Sequence, residues 1–97
     1  RFRERFEAET GARILRLAVF GTRARGTWDR DSDFDLLVLV DEASPERRRS
    51  ASEIAYDAGM DDGVVLSPKV FGAEDWRRRA SEPASFAAEV EREAISL

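Results

Sequence analysis

The stretch that decides the fold is residues 21–38, which read GTRARGTWDRDSDFDLLV. This stretch begins with a charged segment that contains two glycines and continues with Asp33-Phe34-Asp35. A run of apolar residues follows the acids directly. A nearly continuous apolar run is typical of a strand that is covered on both faces, so residues 34–40 predict a central strand of a sheet. The two carboxylates then stand at the entrance to a rigid element, which holds functional groups in place.

Asp33 and Asp35 predict a site for a hard cation. Side chains alternate along a strand, so the two carboxylates share one face. They repel each other and lose hydration there unless a cation joins them, and Mg²⁺ prefers such an all-oxygen environment. An acidic loop rim is the alternative interpretation, because a D-x-D pattern by itself is frequent.

Gly21 and Thr22 directly follow a second predicted strand, residues 14–20, and they predict an anion site. Glycine permits close approach of the backbone, and a short helix opening at Thr22 would present free N–H groups to a phosphate. Arg23 and Arg25 can pair with phosphate oxygens. A strand-to-helix turn with solvated arginines is the alternative.

Two other motifs are excluded by the residues that they lack. Residues 21–26 have the glycine spacing of a P-loop, but Thr27 and Trp28 stand where that loop needs Lys and then Ser or Thr. The acids from Asp29 onward imitate the start of an EF-hand, but its glycine and its final glutamate are missing. The stretch therefore predicts neither a P-loop nor a calcium loop.

Composition narrows the chemistry further. The 97 residues include no cysteine and no histidine, which excludes disulfides, thiolate metal sites, imidazole bases and His-ligated zinc. The 16 Lys+Arg against 20 Asp+Glu give a net charge of −4, which argues against direct nucleic-acid binding. The length predicts one domain over residues 1–97. No run of apolar residues is long enough to span a membrane, so we expect a cytoplasmic protein without a membrane partner.

A site for two ions needs a third carboxylate, and Asp61 and Asp62 are the candidates. Asp62 shares the strand parity of alternate apolar residues in the predicted strand 64–71. If that strand lies beside residues 34–40, Asp62 reaches the edge that carries the other two acids. A turn is the alternative, because Asp-Asp-Gly is good turn chemistry.

The remaining elements follow from periodicity and capping residues. Proline within a strand predicts an edge position or a bulge, which applies to Pro68. The order of helices and strands predicts a small α/β or α+β layer structure. The other predicted elements are a helix over residues 1–10, a helix from Ser44-Pro45 to Gly59, a helix over 73–80, and a helix from Pro83 to about Ile95.

At this point the chain resembles a known family. Gly21-Thr22, ten intervening residues and Asp33-x-Asp35 resemble the G-S-x10-D-x-D signature of the polymerase-β-like nucleotidyltransferases. The surrounding stretch, FGTRARGTWDRDSDFDLLV, is similar to the form found in the minimal nucleotidyltransferase (MNT) branch. Residues 62–67 resemble a later D-x-V-V-x-S strand of that branch, and residues 86–97 resemble its terminal helix.

The resemblance implies the polymerase-β-like nucleotidyltransferase fold, with a small mixed sheet of three to four strands flanked by helices. It implies ATP as substrate and two Mg²⁺ ions as cofactors. The matching positions then assign Gly21, Thr22, Arg25 and Ser32 to nucleotide binding, and Asp33, Asp35 and Asp62 to catalysis and metal binding.

The resemblance also implies a partner. MNT proteins often pair with a HEPN-family toxin, and as antitoxins they transfer AMP to a hydroxyl of that toxin, often a tyrosine. AMP transfer to a small-molecule alcohol is one alternative function. A non-catalytic module that neutralises its partner by binding is another, and association of the chain with itself stays open.

Overall fold

The computed structural model describes residues 2–20, 33–63 and 65–97, with the backbone alone at 33 and 62. Helices and strands alternate in the α+β manner that the sequence predicts. In chain order the elements are α1 (Phe2–Thr10), β1 (Ile14–Phe20), β2 (Asp33–Val40), α2 (Pro45–Asp62), β3 (Val65–Gly72), α3 (Ala73–Ala80), α4 (Phe86–Glu93) and β4 (Ile95–Ser96).

The strands form one mixed sheet in the order β3-β2-β1-β4. β1 runs antiparallel to β2 and to β4, whereas β3 runs parallel to β2. Phe20 pairs with Asp35, and Asp33 pairs with Val65, so the end of β1 and the starts of β2 and β3 meet. We call this end of the sheet the carboxylate end.

Both faces of β2 are covered, which confirms its central position. Its even-numbered residues pack with α1 and α2, and its odd-numbered leucines pack with α3 and α4. The α1/α2 side contains Phe6, Ile14, Leu17, Leu36, Val38, Val40, Ala51, Ile54 and Val70. The α3/α4 side contains Ala18, Phe20, Leu37, Leu39, Trp76, Ala87 and Val90. Pro68 lies in β3, which is an edge strand, as the proline predicts.

Helix α2 is longer than the sequence predicts. Ser44 caps its start by accepting a hydrogen bond from the Arg47 N–H at 3.1 Å, as expected. The predicted end at Gly59 is wrong, because Gly59 is buried within the helix and the chain continues helically to Asp62. Gly63 ends the helix instead, in a left-handed conformation with φ 71° that glycine adopts without strain.

The last segment also differs from its prediction. The predicted helix from Pro83 begins only at Phe86, where the Ser85 side chain accepts a hydrogen bond from the Ala88 N–H at 3.0 Å. It ends at Glu93, so that Ile95 and Ser96 extend and pair with β1. As a strand, this segment pairs with the backbone of β1. A further turn of helix would leave those backbone groups of β1 without a neighbouring strand.

No helix in the described part of the chain is long and apolar enough to cross a membrane.

Candidate active site

The nucleotide-binding residues predicted from the sequence, Gly21, Thr22, Arg25 and Ser32, lie outside the described residues, as does Trp28. The structure fixes the two ends of the segment that contains them. β1 ends at Phe20 and β2 begins at Asp33, both at the carboxylate end of the sheet. Phe20 and Asp33, the described residues on either side of segment 21–32, therefore both lie at the carboxylate end.

Asp35 lies on β2 two positions before Leu37, so its carboxylate points to the α3/α4 face of the sheet. It is half-buried, and no hydrogen bond or ion pair reaches it from any residue that the structure describes. Asp33 occupies the alternate position before it and opens the strand. A partly desolvated carboxylate without a partner is costly, and binding of a cation would offset that cost.

The third acid does not stand where strand parity would put it. Asp62 is the last residue of α2, and the left-handed Gly63 separates it from β3. The prediction that Asp62 continues the alternation of the strand is therefore wrong. Asp62 nevertheless precedes Val65, the register partner of Asp33, by three residues. Within the described residues, no three acidic side chains form a group that could hold a metal ion.

Asp61, the other candidate, belongs to a different surface. It lines a small pocket between α1 and α2 together with Phe2, Arg5, Ile54 and Ala58. Those helices cover the face of the sheet opposite to the one that Asp35 occupies. Asp61 therefore lines the α1/α2 side of the molecule, whereas the Asp35 carboxylate lies on the α3/α4 side.

Strand β3 contributes polar residues that the sequence reasoning missed. Ser67 pairs in register with Asp35, and Lys69 pairs with Leu37. The Lys69 Nζ donates a hydrogen bond to the Ser67 Oγ at 3.2 Å, so the ammonium reaches back toward the carboxylate end. β3 itself contains no acid. Alternation along the predicted strand would have placed Ser67 and Lys69 on one face, but their nearness to Asp35 depends on the parallel pairing.

A hydrogen-bonded group behind the site holds α3 and α4 against the sheet. The Glu91 carboxylate accepts bonds from the Trp76 Nε1 and from the Arg16 guanidinium, each at 2.6 Å. Arg16 also donates to the Ser96 Oγ at 3.2 Å. Burial by itself would raise the pKa of Glu91, but the bonds from Trp76 and Arg16 outweigh it and hold the pKa below its ordinary value. Trp76 is therefore a core residue.

A model of a known family matches this chain. The nucleotidyltransferase domain model covers residues 1–82, which include both β2 acids, the segment before them and β3. The chain belongs to the nucleotidyltransferase domain family. No curated protein matches the chain.

Solved structures share the fold of this nucleotidyltransferase domain. One is described as a toxin-antitoxin with AMP-PNP, at TM-score 0.62 and 19% identity, covering 96% of this chain and 67% of the other. Another is a tyrosine-to-alanine mutant of the toxin-antitoxin MntA-HpeT, at TM-score 0.60 and 18% identity, covering 97% of this chain and 67% of the other. At these identities the likeness establishes the fold.

The donor set of the nucleotidyltransferase domain fits a hard cation. The acids of β2 supply carboxylate oxygens, and Asp35 is half-buried without a described partner that would compete for them. Magnesium prefers oxygen ligands, and the chain contains no cysteine thiolate and no imidazole to attract a softer metal.

Proposed function

We propose that this nucleotidyltransferase domain transfers AMP from ATP to a hydroxyl of a HEPN-family toxin, most simply a tyrosine, and thereby acts as its antitoxin. The observation that carries the proposal is the half-buried Asp35 without a described partner, at the sheet end where segment 21–32 begins and finishes. The shared fold of two toxin–antitoxin structures, one of them with AMP-PNP, supports both the nucleotide and the partner.

The proposed roles follow the order of the strands. Gly21 and Thr22, with Arg25 and Ser32, bind the triphosphate in the segment between β1 and β2. Asp33, Asp35 and Asp62 hold two Mg²⁺ ions through their carboxylates. When bound, these ions supply positive charge that stabilises the attacking and the leaving oxygens.

The proposed reaction is an in-line displacement at the α-phosphorus. The acceptor oxygen forms a bond to that phosphorus, and the bond to the bridging oxygen of the β-phosphate breaks. Pyrophosphate leaves, and the acceptor's proton passes to Asp62. Because the chain contains no histidine, carboxylates are the natural bases for this proton.

The first experiment mixes the purified chain with the co-expressed partner, ATP and Mg²⁺, and measures the intact mass of both proteins. We expect the partner to gain one or more AMP units, and the double variant Asp33→Asn with Asp35→Asn to abolish this gain. Asp57→Asn is the matched control, because Asp57 is an exposed carboxylate that pairs with Arg5 on α1. An unlabelled partner, with ATP bound normally to the chain, would overturn the proposal.

A non-catalytic antitoxin is the second candidate. The position of Asp62 on α2 favours it, because β3 supplies no carboxylate of its own beside the acids of β2. The same double variant distinguishes the two functions. If the double variant still neutralises the toxin, binding alone is supported. If the double variant still forms the complex but no longer neutralises the toxin, catalysis is supported.

A further inference from the structure

If the proposed function holds, the strands on either side of β2 have different roles, one beside the triphosphate and the other beside the acceptor. β2 lies between β1, which leads into the proposed triphosphate-binding segment, and β3. In an in-line displacement the attacking and leaving oxygens lie on opposite sides of the phosphorus. Pyrophosphate leaving on the β1 side therefore places the acceptor on the β3 side.

The surface on that side consists of three residues of β3, Val65, Ser67 and Lys69, which we call the acceptor strip. They alternate along the strand and lie on the face that Asp35 occupies, because Phe71 further along packs with the α3/α4 core. Helix α3 covers the far end of β3, where Trp76 packs on Phe71 at a centroid distance of 4.9 Å.

The near end of the strip stays open. Val65 is 56% exposed although it pairs in register with Asp33. Neighbouring strands lie about 4.8 Å apart, so this apolar surface stands next to the carboxylate end.

The chemistry of the strip selects one class of acceptor. Val65 offers an apolar surface, Ser67 offers a hydroxyl beside Asp35, and Lys69 contributes a positive charge directed toward Ser67. A polycationic alcohol such as an aminoglycoside finds no acid within the strip itself, where Lys69 is the one charged side chain. A phenol fits, because its ring can cover an apolar side chain while its oxygen stays in the polar part of the strip.

We propose that Val65, Ser67 and Lys69 form the acceptor subsite and that it accepts the phenol of a tyrosine. Val65 supports the ring, and Ser67 orients the hydroxyl. Lys69 acts as a positioning residue whose charge favours the negative charge that develops on the attacking oxygen. The proposal rests on the proposed function for the side from which the acceptor approaches, but binding of the phenol can be measured without transfer.

The test titrates the ¹⁵N-labelled chain with N-acetyl-tyrosinamide, N-acetyl-serinamide and kanamycin, and follows the backbone amide signals. We expect the tyrosine probe alone to shift the amide signals of the residues in the range 65–69 that carry an N–H, which is all of them except Pro68. Val65→Glu should weaken this binding by about fivefold through the loss of apolar contact. Leu15→Glu is the matched control, because Leu15 is also a half-exposed strand residue (49%) but lies at the opposite end of the sheet.

Two further variants test the polar part of the strip. With a tyrosine peptide as acceptor, Lys69→Ala should lower kcat more than it raises KM, and Lys69→Arg should restore most of the rate. A structural role for Lys69 would instead lower the unfolding temperature and give no rescue that depends on charge. Ser67→Ala should raise the KM for the peptide and leave ATP binding unchanged.

The outcomes separate this inference from the proposed function. If AMP reaches no acceptor while the tyrosine probe still shifts residues 65–69, the proposed function fails and the subsite stands. If kanamycin shifts these amides as strongly as the tyrosine probe, or if Val65→Glu and Leu15→Glu behave alike, the subsite is overturned. AMP transfer that is insensitive to all strip variants overturns it as well and leaves the proposed function intact.

Discussion

One face of the sheet contains both a core and a candidate site, and the comparison of these two regions explains the design of the molecule. Over β1 and β2, helices α3 and α4 bury Leu37 and Trp76, and Glu91 ties the helices to Arg16. Over the start of β3 no described helix covers Val65. The covered region stabilises the fold, and the uncovered region contains the candidate site. Substitutions in the covered region should therefore change the free energy of unfolding, and those in the uncovered region should change activity.

The largest expected effect is on stability, in the covered region. Trp76 is 2% exposed, and Trp76→Ala should lower the free energy of unfolding by about 3–5 kcal/mol, as truncation of a buried aromatic residue typically does. Urea unfolding followed by circular dichroism measures it. Trp76→Phe is the control, because it keeps most of the packing and removes the hydrogen bond to Glu91. A loss below about 1 kcal/mol for the alanine variant would contradict the assignment of Trp76 to the core.

The next effect is on activity, in the uncovered region. Asp35→Asn should lower the rate of AMP transfer by a factor on the order of a thousand, because it removes charge from the proposed metal site. The same variant should unfold at a nearly unchanged temperature, since no described residue makes a hydrogen bond or ion pair with the Asp35 carboxylate that the substitution would remove. A parallel fall in stability and activity would indicate that Asp35 is structural.

A smaller effect comes from the pH dependence of Glu91. A carboxylate whose pKa is lowered in the folded chain stabilises the fold above its ordinary value of 4.5, and this contribution is lost as the pH falls through the lower folded value. Glu91→Gln should therefore cost about 1–2 kcal/mol at pH 7, a figure that allows for its partial exposure. The difference from the wild type should shrink below about pH 4.5, which urea titrations between pH 7 and pH 3 would measure. A difference that is constant over this range would exclude the charge as its cause.

The smallest effects form a matched pair with opposite signs. Ala84, between α3 and α4, has φ 66°, and Gly63, before β3, has φ 71°. Ala84→Gly should raise the free energy of unfolding by about 0.5–1 kcal/mol, whereas Gly63→Ala should lower it by about 1 kcal/mol. A Cβ at Gly63 would meet nothing within 4 Å, so backbone strain alone is tested there. Thermal unfolding of both variants checks the signs, and equal signs would contradict the argument.

Particular elements show how far local patterns reach. The apolar run of β2, the Ser44 cap and Pro68 on an edge strand were predicted, because each depends on the residues of one short segment. The end of α2 was not, since Gly59 and Gly63 are equally good local stops. In the structure the helix continues through the buried Gly59 and ends at Gly63, which adopts the left-handed conformation.

The site divides in the same way. Asp33 and Asp35 follow from a motif and from strand alternation, and the family match covers both. The predicted position of Asp62 assumed that the strand pattern extends back to this residue, but Asp62 belongs to the longer α2. The nearness of Ser67 and Lys69 to Asp35 could not be predicted from a local pattern, because only the register of β3 against β2 brings them there.

The sequence by itself therefore determined the central strand with its two acids and predicted an all-oxygen metal site, since these depend on residue type and on spacings of a few positions. Tertiary structure decided which strand lies beside the acids, which side of the sheet stays uncovered, and that Asp61 lies on the opposite side from Asp35. The physical reason is that register and helix coverage arise from packing between segments that are distant in the chain, and a local pattern contains no information about its partners.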